Sequence, residues 1–143
     1  MALPMRITCE FRLEASHRLW RDDWTPDRNE RIFGKCARLH GHSYRLLVTL
    51  RGPVDPETAM VRNFLDVKGV VREHVVSRLD HQDMNAVIGG IPTAERIVEW
   101  IARQLLPVFG ETLYALELWE TPTASASLGP EELAALRGER EAP

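Results

Sequence analysis

The sequence predicts an α+β fold, in which an antiparallel sheet carries two helices on one face. Three observations support this prediction. Apolar and polar side chains alternate from Met5 to His17, the same alternation continues from His42, and two later segments repeat apolar residues at helical spacing. Strands that come before and after a pair of helices, in the order β-β-α-α-β-β, are typical of a sheet covered on one side.

The first strand is predicted from Met5 to His17, because every second side chain is apolar and His17 continues that face at the strand's end. The apolar positions are Met5, Ile7, Cys9, Phe11, Leu13 and Ala15. The second strand has an apolar face of Tyr44, Leu46, Val48 and Leu50. Extended backward, that face includes His40 and His42. If the two strands pair antiparallel, the three imidazoles meet at one end of the sheet.

The connection from Leu19 to Leu39 is longer than the roughly 12 to 15 residues above which an unstructured loop is usually functional or disordered. It is rich in arginine, and it ends near Cys36. Its positive charges could form a rim that holds phosphates, or they could be ordinary solvated surface charges. The sequence leaves both interpretations open, and it leaves the role of the Trp20 to Phe33 loop open as well.

The two helices are predicted from Asp66 to Leu79 and after Thr93, which suits the N-cap of the second helix. A short extended piece from Met60 to Leu65 is expected before the first helix, and Pro107 with Gly110 is expected to end the second.

A third strand is predicted from Leu113 to Thr121, and a short edge strand is expected in the polar stretch that follows it. The third strand's buried face is predicted to contain Tyr114, Leu116 and Leu118, and to extend to Glu120. A helical turn or two from Glu131 to Arg137 should then lead into a charged tail. We expect one domain over 1–143, with its core at about 5–121 and a C-terminal tail at 130–143.

Composition excludes several classes of protein. The formal charge is −3 and the pI is about 6.0, which gives no overall attraction to nucleic acid or to an anionic membrane. No apolar run approaches the roughly 18 residues that span a bilayer, and the N-terminus lacks the apolar stretch of a secretory signal. We therefore expect a soluble cytoplasmic protein, with Cys9 and Cys36 as free thiols.

The convergence of His17, His40 and His42 predicts a metal site with one open tetrahedral position, as in catalytic zinc centres. Imidazoles also suit other first-row ions, so zinc is the preferred metal but not the only candidate. Cys36 lies between Lys35 and Arg38, which favour its thiolate. It could be a nucleophile, a base or a fourth metal ligand.

Two acidic positions complete the candidate site. Asp80 precedes His81 at the end of the first helix, where the carboxylate could orient an imidazole that carries protons near pH 7. Glu120 continues a buried face and therefore needs a partner. That partner could be a lysine or arginine, or the paired N–H donors of a guanidine-like ligand edge.

These residues together resemble the 6-pyruvoyltetrahydropterin synthase family, which includes 6-carboxytetrahydropterin synthases. The matching motifs are 15–19, 36–44, 60–64 with Lys68, 79–81 with Asn85, 92–95, and 120–121. The resemblance implies the tunnelling fold, in which subunits join their sheets into a barrel, with active sites at subunit interfaces of a trimer or hexamer.

The resemblance also implies the roles of individual residues. One Zn²⁺ per subunit would bind to His17, His40 and His42, while Cys36 would act as the base. His81 and Asp80 would relay protons, Glu120 would anchor the pterin and act with the relay, and Thr93 and Thr121 would lie around the ring.

Three residues separate Cys36 from His40, which resembles the bacterial carboxy-forming branch. This branch implies 7,8-dihydroneopterin triphosphate as substrate, and 6-carboxy-5,6,7,8-tetrahydropterin, acetaldehyde and triphosphate as products, on the route to queuosine and other 7-deazapurines. Two alternatives stay open: pyruvoyl formation without carbon–carbon cleavage, and a non-catalytic pterin-binding module stabilised by zinc.

Overall fold

The computed structural model describes residues 2–142 and has a four-stranded antiparallel sheet at its centre. The strands are β1 (Pro4–His17), β2 (His40–Pro53), β3 (Leu113–Thr121) and β4 (Ala124–Leu128), and each pairs with the next along the chain. This confirms the predicted α+β class and the predicted order of strands.

The structure has the two predicted helices, the predicted C-terminal helix, and two short helices that were not predicted, Pro26–Phe33 and Met84–Ile88. They are α1 (Pro26–Phe33), α2 (Phe64–Val71), α3 (Ser77–Leu79), α4 (Met84–Ile88), α5 (Ala94–Phe109) and α6 (Pro130–Glu141). A π-helical turn, Arg72–Val76, joins α2 to α3, so the predicted helix ending at Leu79 is one continuous helical segment. None of the helices described within residues 2–142 has the length and apolarity needed to cross a membrane.

The core lies between the apolar face of the sheet and the helices α2, α3 and α5. Its largest fully buried side chains are Tyr44, Leu13, Leu46, Leu50, Leu79, Met84, Ile97, Ile101, Leu105, Leu113, Leu116 and Leu118. Each buried aliphatic side chain stabilises the fold by about 1.5–3 kcal/mol relative to an exposed one. This packing holds the ends of β1 and β2 in one place, and those ends carry the histidines.

The connection between β1 and β2 contains regular structure, so the prediction of a loop over its whole length was wrong. Thr25 caps α1 by accepting a hydrogen bond from the Arg28 N–H (3.2 Å), and Pro26 occupies the first turn. The ring of Trp24 stacks on Phe33, with 5.7 Å between centroids. An eight-residue helix is too short for apolar periodicity to identify, which explains the error.

The buried face of β3 differs from the prediction at its start. The register between β2 and β3 shifts between Thr49 and Leu50, so Leu113 rather than Tyr114 enters the core. Tyr114 instead lies under the guanidinium of Arg6, 4.4 Å from the ring centroid. A bulge of this kind interrupts the two-residue period on which the prediction depended.

Three boundaries also differ. Phe64 and Leu65 begin α2, capped by Asn63, so the predicted extended piece does not reach Leu65. Pro107 lies inside α5, which ends only at Phe109, before Gly110. The last helix, α6, continues past Arg137 to Glu141, because Leu133 and Leu136 are buried against the core.

Candidate metal centre and active site

The pairing of β1 with β2 brings the three histidines together at one end of the sheet. His17 is directly opposite His40, and Ala15 is opposite His42. The Nε2 atoms of His17 and His40 are 3.0 Å apart, and the candidate ligand atoms of all three imidazoles lie within 4.8 Å of one another. The predicted convergence of three imidazoles is therefore present.

Backbone carbonyls orient two of these rings. The Nδ1 atom of His17 lies 2.8 Å from the carbonyl oxygen of Pro92, and that of His40 lies 2.6 Å from the carbonyl of Arg38. A carbonyl only accepts, so both Nδ1 atoms carry the proton and both Nε2 atoms present lone pairs. Two lone pairs that face each other at 3.0 Å repel, and a cation between them removes that repulsion.

The geometry and the ring charges both fit a metal ion. Tetrahedral Zn²⁺, with bonds of 2.0–2.1 Å, would hold imidazole nitrogens about 3.3 Å apart, close to the 3.0 Å between His17 and His40. Burial lowers the pKa of His17 and of His42, and neighbouring His40 lowers both further. Neutral imidazoles are the form that binds metal, so these residues could hold an ion.

Gly41, between the two histidines of β2, lets the strands approach each other. A Cβ at this position would lie 3.2 Å from the carbonyl oxygen of Ala15. The close contact makes glycine the residue best suited to this point of the β1–β2 pair.

Glu120 lies beside the imidazoles at the end of β3. Its Oε1 is 3.7 Å from Nε2 of His17 and 3.7 Å from Nε2 of His42. The sequence left open whether a lysine, an arginine or a ligand partners this carboxylate. In the structure its nearest ionisable neighbours are the imidazoles of His17 and His42, and the side chain is 28% exposed.

Asp80 is anchored to β1 and holds the ring of His81. Its Oδ1 accepts the backbone N–H of Glu14 (2.9 Å), and its Oδ2 lies 3.1 Å from Nδ1 of His81. These contacts lower the pKa of Asp80, chiefly through the Glu14 hydrogen bond. The predicted orientation of His81 by Asp80 is present as a contact, although the imidazole is 79% exposed in the single chain.

His81 and His42 line one surface depression of about 510 Å³, between β1, β2 and the segment after α3. The backbone of His81 adopts a positive φ of 59°, and its N–H donates to the Glu14 carbonyl (2.6 Å). Non-glycine residues rarely adopt this conformation, which is found most often where the surrounding structure holds it. The structure therefore fixes the backbone of His81, and its imidazole lines the same surface depression as His42 of the three-histidine cluster.

Cys36 lies in a short 3-10 turn, Gly34–Ala37, where its side chain is half-buried. Its carbonyl accepts the N–H of Leu19 at 2.8 Å, which ties it to the chain two residues beyond His17. Among residues 2–142, the cluster of candidate ligand atoms contains the three histidines without the sulfur of Cys36. The arrangement therefore favours a separate thiol over a fourth ligand.

The two predicted threonines lie at element ends near the cluster. Thr93 caps α5 by accepting the Arg96 N–H (3.2 Å), and it follows Pro92, the partner of His17. Thr121 ends β3 next to Glu120, and its hydroxyl accepts the N–H of Thr123 (3.3 Å).

Two contributors to the site were missed from the sequence. Pro92 supplies a carbonyl, a backbone group that no side-chain pattern could identify. Tyr44 was assigned to the core, yet its ring lies edge-on to both His17 and His42, with centroids 6.2 and 5.5 Å away. Burial raises the pKa of Tyr44, so the phenol stays protonated beside the cluster.

The fold and the site define an α+β protein with a cluster of three histidines that could hold a metal ion, and an adjacent carboxylate, at the end of an antiparallel sheet. The family profile described as 6-pyruvoyl tetrahydropterin synthase matches residues 6–131. The chain therefore belongs to the 6-pyruvoyl tetrahydropterin synthase family, as its motifs predicted.

Proteins similar in sequence include a 6-pyruvoyl tetrahydrobiopterin synthase and a 6-carboxy-5,6,7,8-tetrahydropterin synthase. The chain is 34% identical over 125 residues to a 6-pyruvoyl tetrahydrobiopterin synthase of Dictyostelium discoideum, covering 85% of this chain and 93% of that protein. It is 34% identical over 122 residues to a 6-carboxy-5,6,7,8-tetrahydropterin synthase of Synechocystis sp. The match covers 82% of this chain and 87% of that protein.

The structure is similar to that of Caenorhabditis elegans 6-pyruvoyl tetrahydropterin synthase. The TM-score is 0.83 at 26% identity, over 90% of this chain and 96% of that one. These similarities show a pterin synthase family enzyme, and equal identity to the two product types does not separate them.

Proposed function

We propose that this protein is a zinc-dependent carbon–carbon lyase that converts 7,8-dihydroneopterin triphosphate and water to 6-carboxy-5,6,7,8-tetrahydropterin, acetaldehyde and triphosphate. The product would enter queuosine or another 7-deazapurine pathway. The observation that supports this most is the cluster of His17, His40 and His42, whose candidate ligand atoms lie within 4.8 Å of one another, in a member of a pterin synthase family. Three ligands leave a position open for substrate oxygen.

The carboxy-forming branch is favoured by the three-residue spacing between Cys36 and His40. The similarity to the Synechocystis enzyme is compatible with it. The second candidate is 6-pyruvoyltetrahydropterin synthase activity, which eliminates triphosphate without cleaving a carbon–carbon bond. The Dictyostelium relative favours that candidate, and so does the likeness to the C. elegans structure.

Zn²⁺ held by the three Nε2 atoms would supply Lewis-acid polarisation of the hydroxyl or ketone oxygens on the substrate side chain. Cys36, as thiolate, would remove a proton from side-chain carbon and return it after the leaving group departs. His81 would exchange protons with solvent through its exposed ring, while the Asp80 carboxylate, 3.1 Å from Nδ1, would orient that ring. Tyr44 stays neutral and excludes water from beneath the cluster.

Glu120 would accept two N–H groups from the guanidine-like edge of the pterin. Thr93 and Thr121 would provide further hydrogen-bonding groups around the ring. The position of Glu120, 3.7 Å from two candidate ligands, would hold the pterin close to the metal. The charge of the carboxylate would also partly neutralise the cation.

We propose a single-domain chain that assembles into a trimer or hexamer through its sheets. In the single chain β1 and β4 are the two edges of the sheet, and each can pair with another strand. His81 is exposed and lines a depression at the β1 edge, so a neighbouring subunit could complete the site there. We also propose a cytoplasmic location and no nucleic-acid partner.

The decisive experiment incubates the purified, zinc-loaded protein with 7,8-dihydroneopterin triphosphate and identifies the products by mass spectrometry. We expect 6-carboxytetrahydropterin and acetaldehyde, whereas the pyruvoyl product would establish the second candidate. Cys36→Ala should abolish turnover and retain zinc, and Cys9→Ala, which removes the buried thiol of β1, should retain turnover.

A non-catalytic pterin-binding module is the remaining alternative. It predicts that pterin binds and that chelation lowers the melting temperature, with no product formed from the triphosphate. Turnover of the substrate by the zinc-loaded protein would exclude it.

A further inference from the structure

Two asparagine side chains hold the segment that follows β1, each through a pair of hydrogen bonds to one peptide backbone. Asn85, in α4, accepts the N–H of Arg18 (2.8 Å) and donates to its carbonyl (2.9 Å). Asn29, in α1, accepts the N–H of Arg21 (2.7 Å) and donates to its carbonyl (2.9 Å). Each side-chain amide therefore pairs with both the backbone N–H and the backbone carbonyl of one arginine, as a residue of a neighbouring strand would.

Cys36 is attached to the same segment, between these two points. Leu19, which lies between Arg18 and Arg21, donates its N–H to the carbonyl of Cys36. The turn that carries Cys36 begins at Gly34, directly after α1. Asn29 and Cys36 therefore belong to one short unit, which is bonded to the segment after His17 through both residues.

The Asn29 side chain is buried, and its hydrogen bonds to the backbone hold α1 against the segment that precedes it. Asn29 is fully buried, with 0% of its surface exposed, and it is the buried polar residue of α1. Besides its bonds to Arg21, its Nδ2 donates to the carbonyl of Thr25 (3.2 Å). A buried amide is costly unless its donors and acceptor are satisfied, and here the satisfying groups are backbone atoms of the turn before α1.

We propose that Asn29 is a positioning residue for Cys36, and that it sets the place of the thiol relative to the metal cluster through the backbone of Arg21. This proposal rests on the proposed function, in which Cys36 is the base. Without the Asn29 amide, the segment after β1 loses one of the two pairs of side-chain hydrogen bonds described above, and the pair made by Asn85 remains. Within residues 2–142, the Leu19 bond to the Cys36 carbonyl would then be the hydrogen bond left between the Gly34–Ala37 turn and that segment.

The test compares Asn29→Ala and Asn29→Asp with a control, Asp55→Ala. Asp55 also orders a turn, because its Oδ1 accepts the N–H groups of Glu57 and Thr58, but it follows the far end of β2. Asn29→Asp keeps the acceptor for Arg21 and loses both donors. Three quantities are measured on each zinc-loaded protein: the zinc content, kcat with KM, and the rate at which iodoacetamide alkylates Cys36, followed by peptide mass spectrometry.

We expect Asn29→Ala to lower kcat by about 10- to 100-fold, since small displacements of a reacting group have effects of that size. KM should change little, zinc content should stay at one per chain, and the alkylation rate of Cys36 should rise at least severalfold. Asn29→Asp should be impaired at least as strongly, because its second carboxylate oxygen would face the carbonyls of Arg21 and Thr25. Asn29→Ser, whose hydroxyl can donate or accept, substitutes for Asn29→Ala if that variant does not fold. Asp55→Ala should match the wild type in kcat and alkylation.

Unchanged kcat and unchanged alkylation in the folded Asn29 variants would overturn the proposal. So would loss of zinc in parallel with activity, or equal effects in Asp55→Ala, because either result would indicate general destabilisation. The alkylation rate needs no substrate. If the wild type fails to turn over the pterin triphosphate, the proposed function fails, while the link between Asn29 and Cys36 is still judged by alkylation.

Discussion

The Oε1 atom of Glu120 lies 3.7 Å from the Nε2 atom of His17, the residue that ends β1. Nothing between them along the chain requires this approach, since β2 and five helices separate the two strands in sequence. The sheet produces this approach. Strands β1 and β3 lie on either side of β2, both run antiparallel to it, and both therefore end beside its first residues. The first prediction concerns this carboxylate, which lies beside imidazoles that could hold a metal ion.

Glu120→Gln should weaken pterin binding about 10- to 100-fold, because it removes a charged acceptor whose hydrogen bonds are worth about 1.5–3 kcal/mol. Zinc content should be retained, since the three imidazoles are unchanged. Fluorescence titration with a pterin and metal analysis measure these two quantities. Glu117→Gln is the control, because Glu117 bonds to Trp119 on the other face of the sheet, and its affinity should match the wild type. Loss of zinc in Glu120→Gln would instead make Glu120 a metal ligand.

Removing the metal should destabilise the protein. A ligand at 100 times its Kd stabilises the folded state by about 2.7 kcal/mol, which corresponds to a fall in Tm of about 5–10 °C on chelation. His40→Ala should lower zinc affinity and remove most of this chelator-dependent shift. His74→Ala, in the π-helical turn, should bind zinc and keep the full shift. If the chelator does not change the Tm of the wild type, the result would argue against a bound metal.

Gly41→Ala should lower both stability and zinc affinity, because the new Cβ meets the Ala15 carbonyl at 3.2 Å and pushes β2 away beside two ligands. We expect a loss of about 1–3 kcal/mol, typical of overpacking. Gly69→Ala is the matched control. Gly69 lies inside α2 with no atom within 4 Å of the added Cβ, so alanine there should stabilise by about 0.5–1 kcal/mol. Equal effects of the two substitutions in urea unfolding would refute the steric explanation.

Asp80→Asn should lower stability in a way that depends on pH. The pKa of Asp80 is held below its ordinary value, first by the Glu14 N–H and then by His81. The ionised carboxylate therefore stabilises the fold fully above its unfolded pKa of about 3.9, and this contribution is lost as pH falls through the lower folded value. The group is one-third exposed, so we expect only about 1 kcal/mol, or a few degrees in Tm.

The measurement for Asp80 is the Tm difference between wild type and Asp80→Asn over a range of pH. It should be largest above about pH 5, where the carboxyl group is ionised in both the folded and the unfolded chain. It should shrink towards zero as pH falls below the unfolded pKa of about 3.9 and then through the lower folded pKa. A difference that persists at the lowest pH would show that shape, and not charge, explains the effect.

Much of the candidate site could be predicted from the sequence, because strand periodicity is a local property. The two-residue alternation that places Leu13 and Ala15 in the core also places His17 there, and the same argument applied to β2 gives His40 and His42. The prediction failed at Tyr114, where a register shift against β2 changes which side chain is buried. A shift of this kind depends on the partner strand and leaves no trace in the local pattern.

The sequence by itself determined the α+β class, the order of strands and helices, and the three imidazoles of the cluster. These depend on the period of apolar side chains, which burial enforces residue by residue. Only the tertiary structure decided that the Pro92 carbonyl orients His17, that Glu120 stands beside it, and that Asn29 secures the segment leading to Cys36. Those contacts join distant elements or use backbone groups, and their positions follow from how the sheet, α1 and α5 pack together.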